Sequence, residues 1–184
     1  MNELHLKKLG LTPKWLELGI IDSQLVEQEL NQEDQDTEPT EHFRFGAIHN
    51  WLQNLDACHI DMAEVCELLS NDPDRHLAKG AFKEIMACGK LTNQQFEDVA
   101  AFVSNKYPNI EVYIEQIRLQ RQLQNNCLDD LLFARCIEKG ERDIQIALIN
   151  HPKISKPQLI ALSENGYSKK VRNLARQALK KRNT

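Results

Sequence analysis

Cys58 and His59 stand side by side, a thiol and an imidazole of the kinds that hold zinc or pair as nucleophile and base. Neighbours in sequence do not converge on one ion from a single helix, and no C-x-x-C or H-x-x-x-H accompanies them. The pair therefore reads as a structural cysteine beside a loop histidine. His42 and His49 are two helical turns apart, on one side of a helix but too distant to share an ion unaided. Asp129 and Asp130 fall at a helix start, and Asp34 and Asp36 fall in a polar stretch, where capping or solvation accounts for them. The chain has no G-x-x-x-x-G-K-[ST], G-x-G-x-x-G or G-x-S-x-G, and its seven glycines leave little material for a phosphate cradle. No acid and base are marked, so the chain reads as a non-enzymatic protein with no cofactor and no metal. A site assembled from distant segments is beyond a linear reading.

Cationic side chains carry the stronger hint. Arg75, Lys79 and Lys83 recur about one turn apart, as do Arg118 with Arg121, and Lys169, Arg172 and Arg176. Each set shares a helix face, and together they are candidates for a basic binding stripe. Equally, they are surface cations balanced by Glu84, Glu111, Glu115 and Asp143.

The elements that position them announce themselves by their starts. Ser155 is preceded by Ile154 and followed by Gln158 and Leu159, which is a capping box with a hydrophobic staple. The same arrangement stands at Ile60-Asp61 with Glu64 and Val65, and at Leu91-Thr92 with Gln95 and Phe96. Leu128-Asp129 with Phe133 keeps only the staple. Leu11-Thr12 with Leu16, where Pro13 takes the first helical position, and Ile21-Asp22 with Val26 are further candidates. A second helix follows each of the four later starts: one opened by Asp72 and Pro73 and closed by Gly89, one after Tyr107-Pro108, one before Pro152, and a last one with Val171, Leu174, Ala175, Ala178 and Leu179 on one face.

The two closing units overlay directly, with Gly140 against Gly166 and, after a one-residue gap, Ile144 against Val171. The starts are unequally spaced, so the pattern is a degenerate array of helical hairpins whose faces are buried by stacking. INHPKISKPQLIALSENGYSKKVRNLARQAL, with its His-Pro corner and V-R-x-x-A second helix, resembles the leucine-rich-repeat-variant group and, more loosely, HEAT-like repeats. The resemblance is clearest over residues 128–182. It implies an α-solenoid used for binding. The iron–sulfur cluster of the former group is not carried over, because the cysteines it needs are not clustered here.

The expected fold is therefore all-α: an irregular solenoid of stacked hairpins over residues 42–184, an N-terminal helical cap or docking arm over 1–31, and an acidic polar connector over 32–41. From Asp22 to Glu41 run eight acids and no Lys or Arg, while Lys169 onward carries seven cations and no acid. Five widely separated cysteines (Cys58, Cys66, Cys88, Cys127 and Cys136) and no long apolar run point to a cytoplasmic protein without disulfides or a membrane span. The leading expectation is an adaptor or inhibitor that binds another protein on the concave face. The alternative is a nucleic-acid-binding HEAT-like protein, with a link to DNA repair among its readings. A further idea is that the acidic arm masks the basic stripe.

Overall fold

The computed structural model describes residues 3–32, 40–56, 60–125 and 128–182. Among them it holds twelve α-helices and no strand. No helix among the described residues is long and apolar enough to cross a membrane. The chain forms two compact units, residues 1–108 and 109–184.

The first unit contains α1 (Glu3–Lys8), α2 (Pro13–Glu17), α3 (Ser23–Gln32), α4 (Thr40–Gln53), α5 (Met62–Ser70), α6 (Arg75–Ala87) and α7 (Asn93–Lys106). Its N-terminal segment belongs to the core, because Leu6, Leu9, Leu11, Trp15, Ile20, Ile21 and Val26 are all buried. Two polar ties fix that segment. Lys14 Nζ lies 3.0 Å from Glu64 Oε2 on α5. Arg44 of α4, itself buried, donates from Nη1 to the Leu9 carbonyl at 3.2 Å and to Thr40 Oγ1 at 3.0 Å. The rest of its guanidinium makes a two-pronged pair with Asp72, Nε to Oδ2 at 2.9 Å and Nη2 to Oδ1 at 3.1 Å. Gly10 explains how the chain passes this group. Its φ is +68°, and a Cβ there would sit 2.4 Å from Arg44 Nη1.

Asp72 is thereby committed, so Asp74, not Asp72, caps α6. Its Oδ1 accepts the N–H groups of His76 and Leu77, and this holds the Asp74 carboxyl below the usual carboxylate range. Beyond α6, Gly89 takes a left-handed φ of +72° and turns the chain towards α7. Helix α4 packs on α6, α5 on α6 and α7, and α6 on α7, so elements touch both their neighbour and the next but one. Phe82, Ile85, Phe96, Val99 and Val103 fill the space between them.

The second unit contains α8 (Glu111–Gln124), α9 (Asp130–Lys139), α10 (Arg142–Ile149), α11 (Lys156–Asn165) and α12 (Lys169–Arg182). Helix α10 touches both α8 and α12, and α9 touches α11, which sets the helices in two alternating rows. Leu119, Leu123, Ile144, Leu148, Val171 and Ala175 from one row meet Leu132, Cys136, Leu159 and Leu162 from the other. Gly140 and Gly166, the two glycines aligned above, each end a helix with an N–H bonded to the carbonyl four residues back. A Cβ would meet that carbonyl oxygen at 2.4 Å and 2.6 Å, and Ile144 or Val171 at 2.8 Å in both. Glycine is required at both places because the next helix starts against the end of the last.

The capping signals hold where the glutamine is present. Thr92 with Gln95 and Ser155 with Gln158 both form full capping boxes. Asp61 accepts from the Ala63 N–H and Asp129 from the Leu132 N–H. Glu64 faces Lys14 instead of closing a box.

Candidate binding surfaces

In the first unit, α4 and the start of α6 enclose a cleft of ≈ 490 Å³. Two glycines make it. Gly80 on α6 lets the Phe45 ring lie against it, with Phe45 Cε2 3.2 Å from where a Cβ would be. Gly46 on α4 faces open space, leaving the adjoining volume unfilled. The floor is Phe45, Gly46 and Leu77, and the exposed imidazoles of His42, His49 and His76 stand around it. His49 Nδ1 also lies 3.3 Å from Glu84 Oε2 of α6. His42 and His49, for which the sequence pointed to a structural role, both line this cleft, and α6 adds His76. Among the described residues no group of three or more His, Cys, Asp or Glu converges closely enough to hold a metal ion. Cys58 and His59 lie outside the described residues, as do Cys127, Asp34, Asp36 and most of the acidic connector.

Arg75, Lys79 and Lys83 all belong to α6, the helix that contributes His76 and Leu77 to the cleft. Arg75 is exposed and the two lysines are half-buried. In the second unit the sequence-selected cations divide. Arg118 Nη1 lies 3.1 Å from Glu115 Oε2, and Arg135 Nη2 lies 2.7 Å from Glu115 Oε1. Burial raises the Glu115 carboxyl, but the two arginines outweigh it and hold the group below its ordinary value. Arg172 donates from Nη1 to the Gly166 carbonyl at 2.7 Å, and Arg176 donates to Asn173 Oδ1 at 3.1 Å. Lys169 is exposed in the first turn of α12, and Arg121 lies in the last turn of α8.

A second cleft, of ≈ 470 Å³, opens where α8 meets the starts of α10 and α12. Tyr113, Gln116 and Gln120 come from α8, Arg142 and Asp143 from α10, and Tyr167 from the turn before α12. Two glutamines hold the turns that border it, and both accept the N–H of the residue after a glycine. Gln116 donates to the Lys139 carbonyl at 2.7 Å and accepts the Glu141 N–H at 2.8 Å. Gln145, buried in α10, donates to the carbonyls of Cys136 and Ile137 and accepts the Tyr167 N–H at 2.8 Å. Each glutamine on one helix therefore grips the residue just after the glycine of the following hairpin. This fixes the Tyr167 backbone while the residue stays 61% exposed.

Sequence reasoning selected none of Gln116, Gln145 or Tyr167. One signal was available for Tyr167, an aromatic in a polar loop one position after the aligned glycine. The thiols offer no nucleophile at neutral pH where they are buried, since burial pushes Cys66 up to about 12 and Cys136 up to about 11.

Charge separates between the units. Residues 1–108 carry nine Lys and Arg against nineteen Asp and Glu, a net −10, whereas residues 109–184 carry fourteen against eight, a net +6. Compared with protein-family models, with curated proteins and with solved structures, the chain finds no match in any of the three.

Proposed function

We propose that this chain is a non-enzymatic binding protein of the adaptor or inhibitor type whose partner is another protein. Its helices are read as an irregular stack of hairpins of the HEAT-like kind, a reading supported by the alternating rows of α8 to α12 and by the matched Gly140 and Gly166. The observation that carries the function is the cleft between α4 and α6. It is preformed, it is apolar at its floor, and its ≈ 490 Å³ falls in the range of pockets that seat anchoring groups. Protein interfaces draw most of their affinity from a few apolar anchors seated in such pockets within a polar rim. Here the rim is histidine, with Arg75, Lys79 and Lys83 on the same helix to meet an acidic surface of the partner.

Filling the cleft tests this. Gly46→Phe places a ring in space where nothing now stands. The unaltered chain is expected to retain a stoichiometric protein from native lysate, and the Gly46→Phe chain to lose it. Equal retention by both, or retention by neither, contradicts the proposal.

A second reading, nucleic-acid binding, is favoured by one observation, the net +6 of the second unit. Both are compatible in one adaptor, because the features invoked lie in different units.

A further inference from the structure

We infer that the cleft of the second unit is a base-stacking site for single-stranded nucleic acid, with Tyr167 as the platform and the first turn of α12 as the phosphate contact. This deepens the nucleic-acid reading just given and is independent of the cleft between α4 and α6.

Proteins that hold single strands combine aromatic side chains, on which bases stack, with cations that follow the backbone. Tyr167 supplies an exposed aromatic side chain at a position whose backbone is anchored by buried Gln145. Tyr113 lines the same cleft. The remaining lining suits the edge of a base. Gln120 offers an amide with both donor and acceptor, and Asp143 and Glu141 offer acceptors for exocyclic amino groups. Those two acids repel phosphate, so the backbone belongs outside the cleft.

Cations are at hand there. Lys169 and Lys170 are exposed two and three residues beyond Tyr167, and α12 as a whole carries seven Lys and Arg and no acid. Arg142, exposed at the cleft, is held by Asp143 at 3.0 Å. An acidic protein segment would satisfy the cations of α12 but would leave the ring and the acidic, amide-rich cleft without a purpose. A stacked base uses all of them.

The test is fluorescence anisotropy of labelled oligonucleotides of about 12 nucleotides with the full chain, RNA and DNA in separate arms. With about three phosphates contacted, the slope of log affinity against log salt is about −2, so binding weakens about 20-fold between about 50 and 200 mM salt. Tyr167→Ala is expected to weaken binding by about fivefold or more at unchanged salt slope, and Tyr167→Phe to restore it. Replacing Lys169 and Lys170 together by Gln should flatten the slope by about 1.4. Tighter binding of one arm assigns RNA or DNA, and a duplex of the same sequence should bind more weakly than either strand. The inference is overturned by no complex at the lower salt, by equal affinity of Tyr167→Ala, or by polyglutamate displacing the strand as readily as unlabelled oligonucleotide does. Gly46→Phe should leave this binding unchanged, which separates it from the protein-binding cleft.

Discussion

Removing Asp72 should cost the first unit far more than any surface ion pair would. Arg44 is 3% exposed and the Asp72 side chain 1%, and the guanidinium makes four short contacts: two to Asp72, one to the Leu9 carbonyl and one to Thr40. Asp72→Ala leaves a buried cation without its counter-charge and also removes the acceptor of the Asp74 N–H, a bond of 2.8 Å. Breaking a buried pair on one side costs about 3–5 kcal/mol, whereas an exposed pair is worth about 0–1 kcal/mol. With urea slopes of about 1–3 kcal/mol/M, the midpoint should fall by about 2 M. Both tryptophans, Trp15 and Trp51, lie in the first unit, so tryptophan fluorescence isolates its transition from a circular dichroism signal to which both units contribute. The double variant Arg44→Met with Asp72→Leu should recover part of the loss, because no uncompensated charge remains. A loss below about 1 kcal/mol for Asp72→Ala, or a double variant less stable than the single, refutes the assignment of Arg44 as the electrostatic hub.

Glycine substitutions should divide by environment: Gly140→Ala and Gly166→Ala each destabilise by about 1–3 kcal/mol in thermal melts, because the new Cβ meets a carbonyl and a core side chain. Gly46→Ala, inside α4 with open space beyond it, should instead stabilise by about 0.5–1 kcal/mol. Gln145→Ala should cost about 1–3 kcal/mol in urea unfolding, since it removes the acceptor of the Tyr167 N–H and a donor to the Ile137 carbonyl, while the Cys136 carbonyl keeps the Gly140 N–H, and Gln116→Ala should cost less because that side chain is only half-buried. Cys66 and Cys136 should resist alkylation in the native protein and react on unfolding, as read by mass spectrometry of labelled peptides. Because burial raises both thiols from 9.0, the unfolded chain loses their protons first, so stability should decline as pH climbs from about 9 towards 12 and should be indifferent to these groups below that range.

The helical class and the helix starts were legible because they are local. Thr92 with Gln95 and Ser155 with Gln158 carry their partners within three residues, and Pro13 and Gly89 mark boundaries by their own backbone preferences. The match of Gly140 with Gly166 was legible because each closes one helical pattern and is followed, four or five residues on, by an apolar residue of the next, Ile144 or Val171. Long-range polar pairing was not. Arg44 and Asp72 are 28 residues apart, so nothing local separates a buried arginine from an exposed one on α4, and Asp72 before Pro73 reads locally as a helix opening. The histidine cleft was half-legible, since His42 and His49 share a helix face but His76 arrives from another element. Of the basic positions selected by spacing, Arg118 and Arg172 have internal partners that only tertiary structure reveals.

Photo-crosslinking from the cleft between α4 and α6 probes the proposed function most directly. A photoreactive side chain in place of Asn50, which is exposed and lines that cleft, should capture one defined protein in living cells, and adding Gly46→Phe should abolish the adduct without lowering the melting temperature of the chain. An adduct that survives the filled cleft, or irradiation that joins the probe to nothing, removes the cleft as the place where a partner is held.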